Sequence, residues 1–531
     1  MSKIRILDCT LRDGGYVNEW EFGKNAIQDI ISKLIKSKVD IIECGFLTEK
    51  QYGKDFSLFN STSALKEFIN GNEKKGFFVL MLDIGDNDLN IDKLVDLKPQ
   101  AISGIRLTFN PNNIDKTIKI AEKLKKMGYK IFLQPMKTLN YKDDELINLI
   151  KKVNRLKPYA FYIVDSFGAM YKNDLLRLFY LVENNLHEEI KIGFHSHNNL
   201  QLSFSLAQSL MNLKTKRDII IDSSVFGMGR GAGNLATELI TRYINDNIQN
   251  KYEITPLLNI YDEYLSSIFA KTPWGYSLPH FLSAAHNCHP NYSTYLLNKQ
   301  TISVETINIL LKELSEKDKS VYNKDLIENI YLKYQKHKID DKKTRKYLSD
   351  NFKGKEILVL APGETISSES SKIQKFIEKE KPIVISVNFS HNLCDYVFIS
   401  NVQRFNKLKN SNQLQEPVII TSNIAQKTKE NTYILNYEKL ILDDYRVSDN
   451  AGLMLINFLI DVGVKNITLG GFDGFNINRE KNYFDKKLIS NIESEELIKK
   501  TASVKEFLDK FSKTVRLEYL TTSLYAESNK I

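Results

Sequence analysis

At 531 residues the chain is too long for one hydrophobic core, so two or three domains are expected. Hydrophobic residues make up 42% and charged residues 26%, which excludes a largely disordered chain. The net charge of +9 arises from 74 basic and 65 acidic residues mixed along the chain, with no basic stripe, so no nucleic-acid polymer is expected as a partner.

The first residues run straight into a strand pattern without an apolar leader, and no stretch of 18 apolar residues follows anywhere. A cytoplasmic protein with no membrane span is therefore expected. Short apolar runs recur at Ile4–Asp8, Asp40–Cys44, Phe77–Leu82, Gly104–Leu107, Lys130–Gln134, Phe161–Val164, Ile192–His195 and Ile219–Asp222, separated by amphipathic helical stretches. Strands alternating with helices at this spacing imply crossovers and a parallel sheet. Eight such units predict an α/β fold over residues 1–254, a (β/α)8 TIM barrel, with an open doubly wound sheet as the alternative.

In a parallel barrel the chemistry sits at the carboxyl ends of the strands. The first strand runs into Asp8-Cys9-Thr10-Leu11-Arg12-Asp13-Gly14-Gly15-Tyr16, which puts a guanidinium and a carboxylate at the rim. The seventh ends in His195-Ser196-His197, and residues two apart on a strand share a face. Two imidazoles with the Asp13 carboxylate suit Mn, Mg, Fe or Zn with coordination positions left open. After the eighth strand, Gly227-Met228-Gly229-Arg230-Gly231-Ala232-Gly233-Asn234 has four glycines in seven residues, which permits close backbone approach and an amide nest for an anion.

From 255 to 352 helical periodicity dominates, as in Val304–Leu314 and Leu326–Tyr334, and predicts a helical extension covering the barrel mouth. Within it, 274–281 and 285–292 mix Tyr, His and Asn, with Tyr276 the first candidate and His289 and Tyr292 behind it. A separate Rossmann-like α/β domain is expected over 353–531, with a strand beginning from Lys355, further strand runs at Ile383–Asn388, Tyr396–Ser400, Pro417–Thr421 and Asn466–Gly470, and a helix over Gly452–Val462. Its first strand turns at Pro362-Gly363, a common geometry beside a phosphate. Cys9, Cys44, Cys288 and Cys394 are far apart with no CxxC pair, which excludes a zinc ribbon and argues against a disulfide framework.

Over residues 3–240 this pattern resembles the DRE-TIM metallolyases, which include hydroxymethylglutaryl-CoA lyase, isopropylmalate and homocitrate synthases, and 4-hydroxy-2-oxovalerate aldolase. The resemblance is carried by Asp8-x-Thr-Leu-Arg12-Asp13-Gly14, Glu43, Asp165-Ser166-x-Gly168, His195-x-His197 and Gly231-Ala232-Gly233-Asn234. It implies that Asp13, His195 and His197 hold a divalent metal, Mn2+ or Mg2+ with Zn2+, Co2+ or Fe2+ as further candidates. Asn234 would contact that metal or order its loop, and Arg12 would stabilise an enolate oxygen. Asp165, Ser166, Gly229, Arg230 and Gly231 are the expected substrate or anion contacts, and Glu43 joins the catalytic set. Hydroxymethylglutaryl-CoA lyases carry a cysteine in the last loop, where this chain has Met228. The loop looks most like that of the aldolases, whose catalytic His three residues after the metal Asp is here Tyr16. They also place a catalytic Tyr over the mouth, for which Tyr276 is the nearest match.

Residues 355–490 are similar to bacterial CMP-sialyltransferase-like nucleotide-binding domains. That likeness implies a nucleotide or nucleotide-sugar site at Pro362, Gly363, Asn388, Ala451, Gly452 and Asp473. The expected protein is a metal-dependent carbon–carbon lyase acting beside a 2-oxo acid, with an aldehyde or sugar as second substrate, in sugar or surface-glycan metabolism, and a homo-oligomer is expected. The alternatives are a bifunctional enzyme whose second half transfers a glycosyl or nucleotidyl group, a Claisen-type acyl-CoA condensing synthase, and a non-catalytic binding protein on a degenerate barrel.

Overall fold

The computed structural model describes residues 3–526, apart from 51, 70, 73–74, 86–88, 300, 336–338, 415–416, 425–431, 445, 477–481 and 486–493. The chain divides into two compact units, residues 1–290 and 291–531. No helix among the described residues is long and apolar enough to cross a membrane.

The first unit contains β1 (Ile4–Asp8), β2 (Ile41–Leu47), β3 (Leu58–Phe59), β4 (Phe78–Ile84), β5 (Gly104–Phe109), β6 (Lys130–Pro135), β7 (Ala160–Asp165), β8 (Lys191–Ser196) and β9 (Ile219–Ser223). They pair in the order β1-β9-β8-β7-β6-β5-β4-β2-β3, all in parallel, and β1 also pairs with β2. Eight strands thus close into the expected barrel, and the two-residue β3 is an extra strand on the end of β2.

Side-chain alternation sorts each strand into an outer and an inner set. Ile6, Ile42, Ile105, Ile192 and Ile221 face outward into the layer shared with the helices. That layer is completed by helical stripes such as Leu146, Leu149, Ile150 and Val153 on the helix Asp143–Leu156. Leu7, Ile41, Val79, Phe132, Tyr162 and Ile220 face inward and plug the barrel floor. By the same alternation Glu43, Arg106, His195 and Asp222 stand one step along from inner residues toward the carboxyl ends, and all four are buried. The interior therefore passes from an apolar floor to a charged upper layer.

The second unit is a seven-stranded parallel sheet. Its strands are β10 (Glu356–Leu360), β11 (Ile383–Val387), β12 (Tyr396–Ile399), β13 (Val418–Thr421), β14 (Thr432–Leu435), β15 (Asn466–Gly470) and β16 (Arg516–Tyr519), in the order β14-β13-β12-β11-β10-β15-β16. The chain runs outward from β10 to β14, then returns to place β15 on the other side of β10. The switch point of this doubly wound sheet is the crevice between β10 and β15, where such sheets bind ligands beyond the strand ends.

The helical stretch read as one extension from 255 to 352 falls on both sides of the division after Pro290. Trp274 Nε1 donates to the Phe226 carbonyl at 3.0 Å and Asn287 Nδ2 to Asn140 Oδ1 at 2.7 Å, so residues before 290 lie on the loops at the barrel mouth. Later helices are knitted into the second unit. Tyr331 donates to Asp449 at 3.2 Å, the backbone N–H of Asn436 donates to Asp341 at 3.0 Å, and Leu348 and Phe352 belong to the core under the sheet.

Candidate active site

Three residues named from sequence come together at the carboxyl end of the barrel. One ligand atom each from Asp13, His195 and His197 lies within 4.8 Å of the others, and all three residues are buried. Asp13 is placed by the tight turn after β1, where its backbone N–H donates to the Cys9 carbonyl at 2.8 Å. The histidines share one face at the end of β8.

Both rings are oriented through Nδ1. His195 Nδ1 donates to Asp222 Oδ2 at 3.1 Å, and His197 Nδ1 donates to the Arg230 carbonyl at 3.2 Å. Each therefore keeps Nε2 as its lone-pair nitrogen, the usual way a metal-binding imidazole is fixed. Burial alone would raise the Asp13 carboxyl, but Arg12, His197 and His195 override it and hold the group well below the ordinary carboxylate range. Burial lowers His197 to about 4 despite the nearby Asp13, so its ring is neutral at pH 7.

The residues fit a divalent cation. Asn234 Nδ2 donates to Asp13 Oδ2 at 2.7 Å and to the Met228 carbonyl at 3.1 Å, while its own Oδ1 is buried and has no hydrogen-bond partner among the described residues. A buried orphan oxygen is costly unless a ligand meets it. Gly229 leaves the space open: a side-chain carbon there would stand 2.2 Å from Asn234 Nδ2 and 2.7 Å from Asp13 Oδ2.

Arg12 lies beside this trio. Its Nε donates to Glu43 Oε2 at 2.8 Å and its Nη1 to Asp13 Oδ1 at 2.5 Å, whereas Nη2 is buried with no partner among the described residues. Glu43 thus aligns the guanidinium. It also meets Arg106 Nη1 at 2.8 Å, and Arg106 Nη2 pairs with Asp222. Arg106 and Asp222 were not singled out from sequence, yet they join the Arg12 support to the His195 support through the barrel centre. A charged residue inside a strand run that is otherwise apolar was the available signal.

This network makes two predictions. Asp222→Asn is expected to weaken metal affinity roughly 10- to 100-fold, read by titrating the protein with Mn2+. Arg106→Ala leaves Glu43 and Asp222 buried without their shared counter-ion and is expected to cost about 3–5 kcal/mol in denaturant unfolding.

The remaining sequence candidates fall at different places. Asp165 is turned onto its own loop, accepting from the Ala169 and Met170 N–H groups at 2.9 and 3.1 Å, and burial raises its carboxyl to about 6. Ser166 accepts from the Lys137 N–H at 2.9 Å. Gly231 holds a positive φ of 70° in the loop after β9, which Asn199 ties down by accepting from the Ala232 N–H. Tyr16 is half-exposed at the mouth, and burial of its phenol with the nearby Asp13 charge raises its pKa. The Arg230 guanidinium lies over the Tyr16 ring at 5.6 Å and meets His289 Nε2 at 2.5 Å. Burial, then Arg230 and Lys137, lowers His289 to about 4. Tyr276 is 60% exposed and makes no hydrogen bond among the described residues.

In the second unit all six sequence candidates line one cavity of about 210 Å³ at the switch point. Pro362 and Gly363 follow β10, Asn388 follows β11, Asp473 follows β15, and Ala451 and Gly452 open the helix Ala451–Asp461. Asn450 caps that helix by accepting from the Leu453 N–H at 3.1 Å. Asp473 accepts from the Thr365 N–H at 2.9 Å, although burial raises its carboxyl.

With both sites described, the relatives can be set beside them. Residues 105–262 match the HMGL-like family model. That stretch carries β5 through β9, and with them both histidines and Asn234. The chain is 26% identical over 248 residues to a 4-hydroxy-2-oxovalerate aldolase of Geobacillus genomosp. 3, covering 46% of this chain and 70% of that one. It is 22% identical over 287 residues to an oxaloacetate decarboxylase of Mycobacterium tuberculosis, covering 51% and 79%. Among solved structures, the N-terminal domain of a Bacteroides vulgatus protein is 28% identical, with 57% of this chain and 98% of that one covered at a TM-score of 0.47.

Proposed function

We propose that residues 1–290 are a divalent-metal-dependent lyase that breaks or makes the carbon–carbon bond beside a 2-oxo acid through a pyruvate-type enolate. The observation that carries this reading is the buried Asp13, His195 and His197 trio next to an Arg12 whose Nη2 has no partner among the described residues. The names of the aldolase and decarboxylase relatives support the same chemistry. The ion, with Mn2+ and Mg2+ the first to test, would be held by the trio with Asn234 Oδ1 close by, and it supplies Lewis acidity toward the 2-oxo group.

The protein's own groups do the rest. Arg12 offers a fixed, desolvated donor to the oxygen on which enolate charge develops, and it is held in place by Glu43 before substrate arrives. Tyr16, with its phenol raised, stands at the mouth as a proton donor or orienting group. His289 is kept neutral by burial and by two cations, which also disfavour it as a proton acceptor. Incubation of the full chain and Mn2+ with 4-hydroxy-2-oxo acids tests this reading. Pyruvate release that stops on chelation supports it, and no release from any of them rejects it.

For residues 291–531 we infer a nucleotide or nucleotide-sugar site, favoured by the six residues that share the switch-point cavity. Saturable binding of CMP, CDP or UDP by the full chain is expected in calorimetry. Gly363→Val should remove it, since a side-chain carbon at 363 would stand 2.5 Å from the Asp473 carboxylate. Failure of all three nucleotides to bind would reject the site.

A further inference from the structure

The mouth of the barrel holds more positive charge than an enolate requires. Arg12 serves the reacting end, buried and committed to Glu43 and Asp13. Arg230 and Lys137 are separate from it. Arg230 sits on the loop after β9 between Gly229 and Gly231, with Gly229 packed against Asp13 and Asn234. Its own carbonyl holds His197, so its side chain leaves from the edge of the trio.

That side chain is positioned rather than loose. It lies over Tyr16 at 5.6 Å, and its Nη2 meets His289 Nε2 at 2.5 Å. Lys137 follows β6 with a positive φ of 57°, and its ammonium lies over Phe167 at 5.8 Å. Phe167 in turn packs edge-on to His289 at 6.2 Å. Arg230 and Lys137 thus meet the packed His289–Phe167 pair, Arg230 at His289 and Lys137 at Phe167, and burial and then the Arg230 charge depress Lys137. Among the described residues neither has a carboxylate partner: the Lys137 ammonium has only the amide oxygen of Asn110, at 3.5 Å. Two half-buried cations held together by aromatic rings, without an acid between them, are destabilising in the free protein and are relieved by an anion placed between them.

We propose that this pair selects a substrate with a second negative charge, a carboxylate or phosphate at the end remote from the 2-oxo acid. The proposal rests on the lyase reading and adds the substrate class to it. Cleavage then breaks the bond between carbons 3 and 4 of a 4-hydroxy-2-oxo acid. The electron pair goes to the pyruvate enolate, the 4-hydroxyl proton is lost as the aldehyde forms, and a proton is gained at carbon 3, so an anionic aldehyde leaves alongside pyruvate.

Equilibrium binding tests this without turnover. The Mn2+-loaded full chain is titrated with 2-oxoglutarate, with 2-oxopentanoate of the same chain length, and with 2-oxo-5-phosphonopentanoate. The two acids with charged tails are expected to bind roughly 10- to 100-fold more tightly than the neutral-tailed acid, as charged hydrogen bonds do. Whichever of carboxylate and phosphonate binds more tightly identifies the group. Arg230→Ala and Lys137→Ala should each collapse the preference toward one. Equal binding of charged and neutral tails by the unmodified protein, or variants that weaken all three acids by the same factor, overturns the proposal. The lyase reading fails separately, through absence of pyruvate release.

Discussion

Asp13→Asn is expected to leave a folded barrel that no longer retains Mn2+ and has no measurable lyase turnover. The substitution removes the one negative charge of the trio while keeping its size. Asp13 belongs to the rim, where function concentrates, rather than to the apolar floor that carries stability. The loss should exceed the roughly 10- to 100-fold expected when only an outer partner such as Asp222 is altered. His195→Ala should behave alike. Metal content after dialysis, read beside thermal unfolding, checks both. Retention of Mn2+ by either variant at the level of the unmodified protein would remove Asp13 or His195 from the metal site.

Arg12→Ala separates metal binding from catalysis. Its guanidinium is no ligand, so the metal should stay, while the fixed donor for the enolate oxygen is lost. Loss of such a donor costs on the order of 100- to 1,000-fold in rate. Because Arg12 Nη1 also touches Asp13 at 2.5 Å, metal affinity should be measured on the same sample. Arg12→Lys restores charge but not the fork that reaches Glu43 and Asp13 together, so it should recover little. Ordinary turnover by Arg12→Ala with metal bound would contradict the assigned role.

The barrel was legible because strands of a parallel barrel are buried on both faces and read as short apolar runs. All eight expected runs overlap strands that close into it. The inward charges were harder to see. Arg106 and Asp222 lie 116 residues apart, and only closure of the barrel brings them together. Lys137 was hidden for a different reason: a lysine after a strand is commonplace, and what sets this one apart is its place beside Phe167, near Arg230. In the second sheet, β14 and β16 escaped the sequence reading. Each is a four-residue edge strand, paired on one side only; β16 alternates exposed and half-buried positions, and in β14 only Leu435 is fully buried. The helices after 291 read as part of the barrel's cover because periodicity identifies a helix without saying which core it serves. Buried polar partners such as Tyr331 with Asp449 decide that.

The account stands on one cation held between Asp13, His195 and His197. A crystal grown with Mn2+ and measured at a wavelength where manganese scatters anomalously tests it directly. The predicted result is a single strong anomalous peak in the barrel, about 2.0–2.3 Å from a carboxylate oxygen of Asp13 and from Nε2 of both histidines. A map with no peak there, or with manganese bound elsewhere in the barrel, would contradict it.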